Sequence, residues 1–126
     1  MIKNLDHFVL TVIDLERTKA FYCEILGMIF EEFAKDRQAL KFGSSKINLH
    51  VAGRELSPRA HLAKPGTADL CFIIEGELEE MQSRLLVAGI DILEGPVKRT
   101  GARGTITSLY VRDPDLNLIE LSVYDS

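Results

Sequence analysis

Two five-residue stretches, Asp6-His7-Phe8-Val9-Leu10 and Ala68-Asp69-Leu70-Cys71-Phe72, open two strand-like segments about sixty positions apart and decide how the chain is read. Working outward from the first, Leu5 to Val12 is apolar and β-branched almost throughout, the signature of a strand. Its alternation places Leu5, His7, Val9 and Thr11 on one face and Asp6, Phe8, Leu10 and Val12 on the other. Asp14 is an N-cap for a helix from about Leu15 to Leu26, whose apolar positions recur at helical spacing, with Gly27 as its stop. Strands are expected at about Met28–Phe33, Gln38–Phe42 and Lys46–Val51, separated by the polar and glycine turns 35–37 and 43–45. Ala52 to Gly66 reads as loop.

The order then repeats. Thr67–Ile74 is a strand, and Glu77–Ala88 is a helix carrying Leu78, Met81, Leu85 and Ala88 on one face. Ile90–Glu94 reads as a short strand, Gly95–Gly104 as a glycine-rich basic loop, and Thr105–Val111 and Leu118–Val123 as further strands. Each half is therefore strand, helix, strand, strand, strand, and the internal repeat governs where a site is sought. Ile47-Asn48-Leu49-His50-Val51 overlays on Ile119-Glu120-Leu121-Ser122-Val123, so that His7 corresponds to Asp69 and Asn48 to Glu120. Each is a polar residue set into an apolar strand. If the open faces of the two halves close around a cavity, four strands send polar side chains into it.

With 126 residues, 46% of them hydrophobic and 27% charged, the chain has the size and composition of one globular domain. Its net charge of -4 makes it a poor electrostatic partner for nucleic acid or an anionic membrane. The apolar runs are too short to span a bilayer and the N-terminus has no signal-peptide character, so a cytoplasmic location is expected. Cys23 and Cys71 form no CxxC motif and read as reduced, buried thiols.

His7, His50, Asp69 and Glu120 are nitrogen and oxygen donors suited to a divalent transition metal. Two imidazoles and a carboxylate with open positions hold Zn, Ni, Mn or Fe(II), and the sequence does not rank these ions. Asn48 shares a strand face with His50. Among the basic residues Arg54, Arg59, Lys98, Arg99 and Arg103, the last three sit in the glycine-flanked segment, where Arg99 and Arg103 are expected to hold an anionic substrate through their guanidinium groups. His61 in the loop reads as an idle, exposed imidazole.

Three segments carry a family resemblance: His7 within Leu5–Val12, the helix from Asp14 through Phe21-Tyr22 to Leu26-Gly27-Met28, and Asp113-Pro114-Asp115 with Asn117-Leu118-Ile119-Glu120-Leu121. Together they resemble the vicinal oxygen chelate superfamily of glyoxalase I, fosfomycin-resistance transferases, bleomycin-resistance proteins and extradiol dioxygenases. Lys46–His50 and Gly95–Ala102 are similar to its small glyoxalase-domain-containing subgroup.

The resemblance implies an α+β fold of two βαβββ modules, residues 1–53 and 67–126 joined by a linker at 54–66. They form a U-shaped, barrel-like mixed sheet with the helices outside. It implies a metal held by His7 and Glu120, with Asp69 where the family usually has histidine and Asn48 where glyoxalase I has glutamate. It also places Leu116 where a tight turn usually has glycine, and it implies a homodimer.

The function expected is that of a metal-dependent lyase, isomerase or transferase acting on a small oxygenated, anionic metabolite. Vicinal oxygens are chelated and an enolate or oxyanion is stabilised, with Glu120 as the catalytic carboxylate, either a ligand or a base. The alternative is a metal-free sequestration protein of the bleomycin-resistance type, and ring-opening dioxygenation is a more remote third.

Overall fold

The computed structural model describes residues 1–126 and divides them into two units, 1–67 and 68–126. In the first, the β-branched run forms β1 (His7–Val12), followed by α1 (Leu15–Lys19), which continues as wider π-type turns over Ala20–Ile25. Asp14 caps the helix from extended backbone, its carboxylate accepting from the Arg17 N–H at 3.1 Å. Gly27 takes a φ of 84° immediately after the helix, a conformation open to glycine at little cost. β2 (Ile29–Phe33), β3 (Arg37–Phe42) and β4 (Ser45–Val51) complete the unit, and the sheet order is β1-β4-β3-β2.

β1 and β4 are parallel, with His7 beside Lys46, Val9 beside Asn48 and Thr11 beside His50. The side-chain alternation then separates two faces. Leu10, Val12, Leu40, Ile47 and Leu49 form the buried apolar face, with Phe21 and Tyr22 of the helix also buried. His7, Asn48 and His50 lie on the other face.

The second unit repeats this plan. β5 (Asp69–Ile73), α2 (Leu78–Val87), β6 (Glu94–Gly101), β7 (Gly104–Arg112) and β8 (Leu118–Tyr124) give the order β5-β8-β7-β6. The parallel pair is again first strand with last, Asp69 beside Leu118 and Cys71 beside Glu120. Leu109, Val111, Ile119, Leu121 and Leu85 form its core. The registers bear out the alignment of His7 with Asp69 and of Asn48 with Glu120. Both modules have the βαβββ plan expected, and no helix is long and apolar enough to cross a membrane.

Three expectations are corrected. The segment 95–104 is mostly strand, not loop: β6 pairs antiparallel with β7, Lys98 opposite Thr107 and Arg99 opposite Ile106. The ladder's backbone hydrogen bonds prevail over glycine and charge because β6 is an edge strand, where polar side chains reach solvent. The strand expected at Ile90–Glu94 does not form, and β6 begins at Glu94 with a register shift before Val97. Cys71 is exposed and Cys23 only half-buried, contrary to two buried thiols. Alternation turns Cys71 to the open face of β5, away from Leu70 and Phe72.

Candidate functional site

The open face of the second unit carries a groove of about 520 Å³ lined by Cys71, Ile73, Arg99, Ile106, Tyr110, Glu120 and Tyr124, among others. The register puts these side chains there. Tyr110 lies opposite Glu120, Ser108 opposite Ser122 and Ile106 opposite Tyr124 across β7 and β8. Glu120 is anchored by one oxygen, Oε2 accepting from Ser108 Oγ at 2.6 Å. Ser108 and Ser122, both fully buried, lie 2.7 Å apart, and Cys71 Sγ is 3.4 Å from Ser122 Oγ. Cys71 is exposed as a residue, but partial desolvation of its thiol pushes the pKa up and the Glu120 carboxylate adds to the shift, against the Ser122 hydrogen bond, which lowers it.

Arg99 lines this groove with its guanidinium engaged on all three nitrogens. Nε donates to Tyr110 Oη at 3.1 Å, Nη1 to the Lys98 carbonyl at 2.9 Å and Nη2 to Glu94 Oε1 at 2.8 Å. Arg103 stands 4.3 Å over the Tyr124 ring, and its backbone N–H donates to Tyr124 Oη at 3.1 Å. Arg103 has no carboxylate partner, so it brings a less neutralised charge to this wall than Arg99 does. Asp69, at the start of β5, has an exposed side chain one step along the same face from Cys71.

In the first unit, the His7 ring is held by its neighbour, Nδ1 lying 2.8 Å from Asp6 Oδ2. A carboxylate on Nδ1 fixes the tautomer that leaves Nε2 as a ligating nitrogen, the usual outer-shell arrangement of a metal-binding histidine. His50 differs. It is buried, its Nδ1 has no partner, and Asn48 Oδ1 two residues earlier is likewise buried and unpartnered. Burial lowers the His50 pKa, and the positive charges of Arg37 and Arg59 lower it further against the opposing pull of Glu55.

These surroundings test the fit of a divalent metal. His7 and Glu120 fit, each with one atom oriented by a neighbour and another left to ligate, and the exposed carboxylate of Asp69 is of the right type. His50 offers a buried nitrogen with no partner, and the charges acting on it are mixed, Arg37 and Arg59 against the Glu55 carboxylate. Neither unit by itself gathers three His, Cys, Asp or Glu side chains into a metal cluster.

The structure thus brings Glu120 and Arg99 to one groove with Arg103 at the Tyr124 wall, and seats Asn48 next to His50 on β4. Sequence reasoning missed Ser108, Ser122, Tyr110 and Tyr124. Their only signal is the alternation Ile106, Ser108, Tyr110 on β7 and Glu120, Ser122, Tyr124 on β8.

Comparison with known proteins adds the lineage. The chain is 52% identical over 123 residues to the glyoxalase domain-containing protein RDO1 of Mycosarcoma maydis, covering 98% of this chain and 69% of that one. It is also 52% identical over 124 residues to virulence protein STM3117 of Salmonella typhimurium, covering 98% and 86%. The crystal structure of STM3117 superposes with a TM-score of 0.97, at 51% identity over 99% of both chains. The metallothiol transferase FosB of Shouchella clausii is 26% identical over 121 residues, covering 96% of this chain and 80% of that one. Residues 4–121 match the family described as glyoxalase/bleomycin resistance protein/dioxygenase. The chain belongs to the glyoxalase/bleomycin resistance protein/dioxygenase superfamily.

Proposed function

We propose that this protein is a metal-dependent enzyme of glyoxalase type, a lyase, isomerase or transferase acting on a small oxygenated, anionic metabolite. The observation that carries the reading is the state of Glu120, a carboxylate tied by Oε2 to Ser108 inside a groove that also presents tyrosines and a guanidinium. His7, with its ring oriented by Asp6, supports the same reading.

The donors offered to Zn, Ni, Mn or Fe(II) in this reading are His7 and His50 of the first unit and Asp69 and Glu120 of the second. His50 shares its strand face with Asn48, and its Nδ1 is buried and without a partner. When bound, such an ion supplies Lewis-acid stabilisation of the charge that develops on neighbouring substrate oxygens. The rest falls to the protein. Arg103, and Arg99 through its remaining N–H bonds, orient the substrate's anionic group. Tyr110 and Tyr124 give the groove aromatic walls, while Ile73 and Ile106 exclude water from one side. Two unpaired thiols suit a reducing, cytoplasmic setting. A homodimer is part of the same reading.

The test is metal content. Full-length protein purified without chelator is expected to hold about one transition-metal ion per chain, since assembled sites bind tightly near neutral pH. His7→Ala and Glu120→Gln are each expected to lose it. Protein that stays free of metal after supplementation with Zn, Ni, Mn and Fe(II) refutes the enzyme reading. It favours the second one, a sequestration protein whose tyrosine and isoleucine walls hold an organic ligand directly.

A further inference from the structure

Beneath the groove, four polar side chains of the second unit form a line from Cys71 through Ser122 and Ser108 to Glu120. Their order of donation follows from the carboxylate at one end. An ionised carboxylate only accepts, so Ser108 must spend its single hydroxyl proton on Glu120 Oε2, at 2.6 Å. The 2.7 Å contact between the two serines then requires Ser122 to donate to Ser108. Ser122 is thereby left as an acceptor for the Cys71 S–H at 3.4 Å. The competing contact from Ser122 to Glu120 Oε2 is 3.5 Å, at the limit of a hydrogen bond. Ser108 and Ser122 are both 0% exposed, so no solvent molecule competes for these hydroxyls. Glu120 Oε1 has no hydrogen-bond partner within the chain.

We propose that Ser108 and Ser122 are positioning residues. They hold Glu120 by Oε2, in one rotamer, so that Oε1 is the oxygen presented to the groove's ligand. Ser108 makes the contact, and Ser122 fixes the direction in which the Ser108 hydroxyl points. The inference deepens the proposed metal-dependent reading and rests on it for its purpose. The geometry that it asserts exists whether or not a metal binds.

Two measurements decide it. The first is Mn²⁺ titration of the full-length wild type, Ser108→Ala, Ser108→Thr and Ser122→Ala by calorimetry. Loss of a hydrogen-bonded partner behind a metal ligand typically weakens metal affinity by about 10- to 100-fold. That range is expected for Ser108→Ala, with a smaller loss for Ser122→Ala and recovery in Ser108→Thr, which keeps the hydroxyl. Wild-type affinity in Ser108→Ala overturns the proposal.

The second is crystallography of metal-free wild type, Ser108→Ala and Ser108→Thr. The Glu120 carboxylate is expected to leave its position in Ser108→Ala and to regain it in Ser108→Thr. A carboxylate that stays in place without the hydroxyl overturns the proposal. Should the wild type bind no Mn²⁺ or other transition metal, the metal-dependent reading falls, and the crystal structures alone decide the positioning role.

Discussion

Gly95 is the position where a single methyl group does the most calculable damage. Its φ is 115°, and a Cβ built there would stand 2.3 Å from the Ser108 carbonyl oxygen and 3.0 Å from Leu109 Cα. Both neighbours are backbone atoms in the middle of β7, which is paired on both edges, so neither gives way cheaply.

Gly95→Ala therefore carries two costs. Forcing an L-residue into a positive-φ conformation costs about 1–2 kcal/mol. Relieving an overlap of about 1 Å against fixed backbone adds a further ~1–3 kcal/mol by analogy with overpacked cores. The sum, roughly 2–5 kcal/mol, is a large fraction of the roughly 5–15 kcal/mol that stabilises a typical domain.

Gly104 provides the control. Its φ is 141°, but no atom lies within 4 Å of the point that an alanine methyl would occupy, so Gly104→Ala carries only the backbone cost. Urea unfolding followed by far-ultraviolet circular dichroism measures both. With a slope of about 1–3 kcal/mol per molar urea, Gly95→Ala is expected to lower the midpoint by about 1 M or more, and Gly104→Ala by clearly less. Equal midpoints for the two variants would refute the reasoning, since the steric term would then be absent.

Stability should depend on pH through His50. Its folded pKa lies below the ordinary value of 6.5, so the unfolded chain binds the extra proton, and the stabilisation present above pH 6.5 is lost as pH falls from there through the folded value. His50→Gln is expected to flatten the unfolding free energy between about pH 7.5 and 5, and a profile parallel to the wild type contradicts this. The proposed homodimer predicts a two-chain species in sedimentation at micromolar concentration, and a single-chain species at all concentrations refutes it.

The strands whose alternation is apolar were legible from sequence because burying one face demands that pattern: β1, β4, β7 and β8 lie within two residues of their expected ends. The helices were legible from periodicity and from stops such as Gly27 and Gly89. β6 was not, because an edge strand bearing Gly95, Pro96, Lys98 and Arg99 meets no burial requirement on its outer side and resembles a turn in composition.

The same logic divides the site. His7 and Glu120 stood out as polar residues inside apolar runs. Ser108 and Ser122 did not, because serine is unremarkable in a strand and only the β7–β8 register makes the pair adjacent. Arg99 was recognised as a groove cation, but its commitment to Glu94 and Tyr110 depends on a pairing that the loop reading excluded.

In each half the first strand made has a single partner, and that partner is the last strand of the half to be made. As the polypeptide leaves the ribosome, β1 waits about forty residues, and β5 about fifty, with every ladder hydrogen bond unmet. Closure of so long a parallel loop is slow compared with hairpin formation. During synthesis the runs His7–Val12 and Asp69–Ile73 are therefore open to pairing with a neighbouring nascent chain until Ser45–Val51 and Leu118–Tyr124 emerge to cover one edge of each.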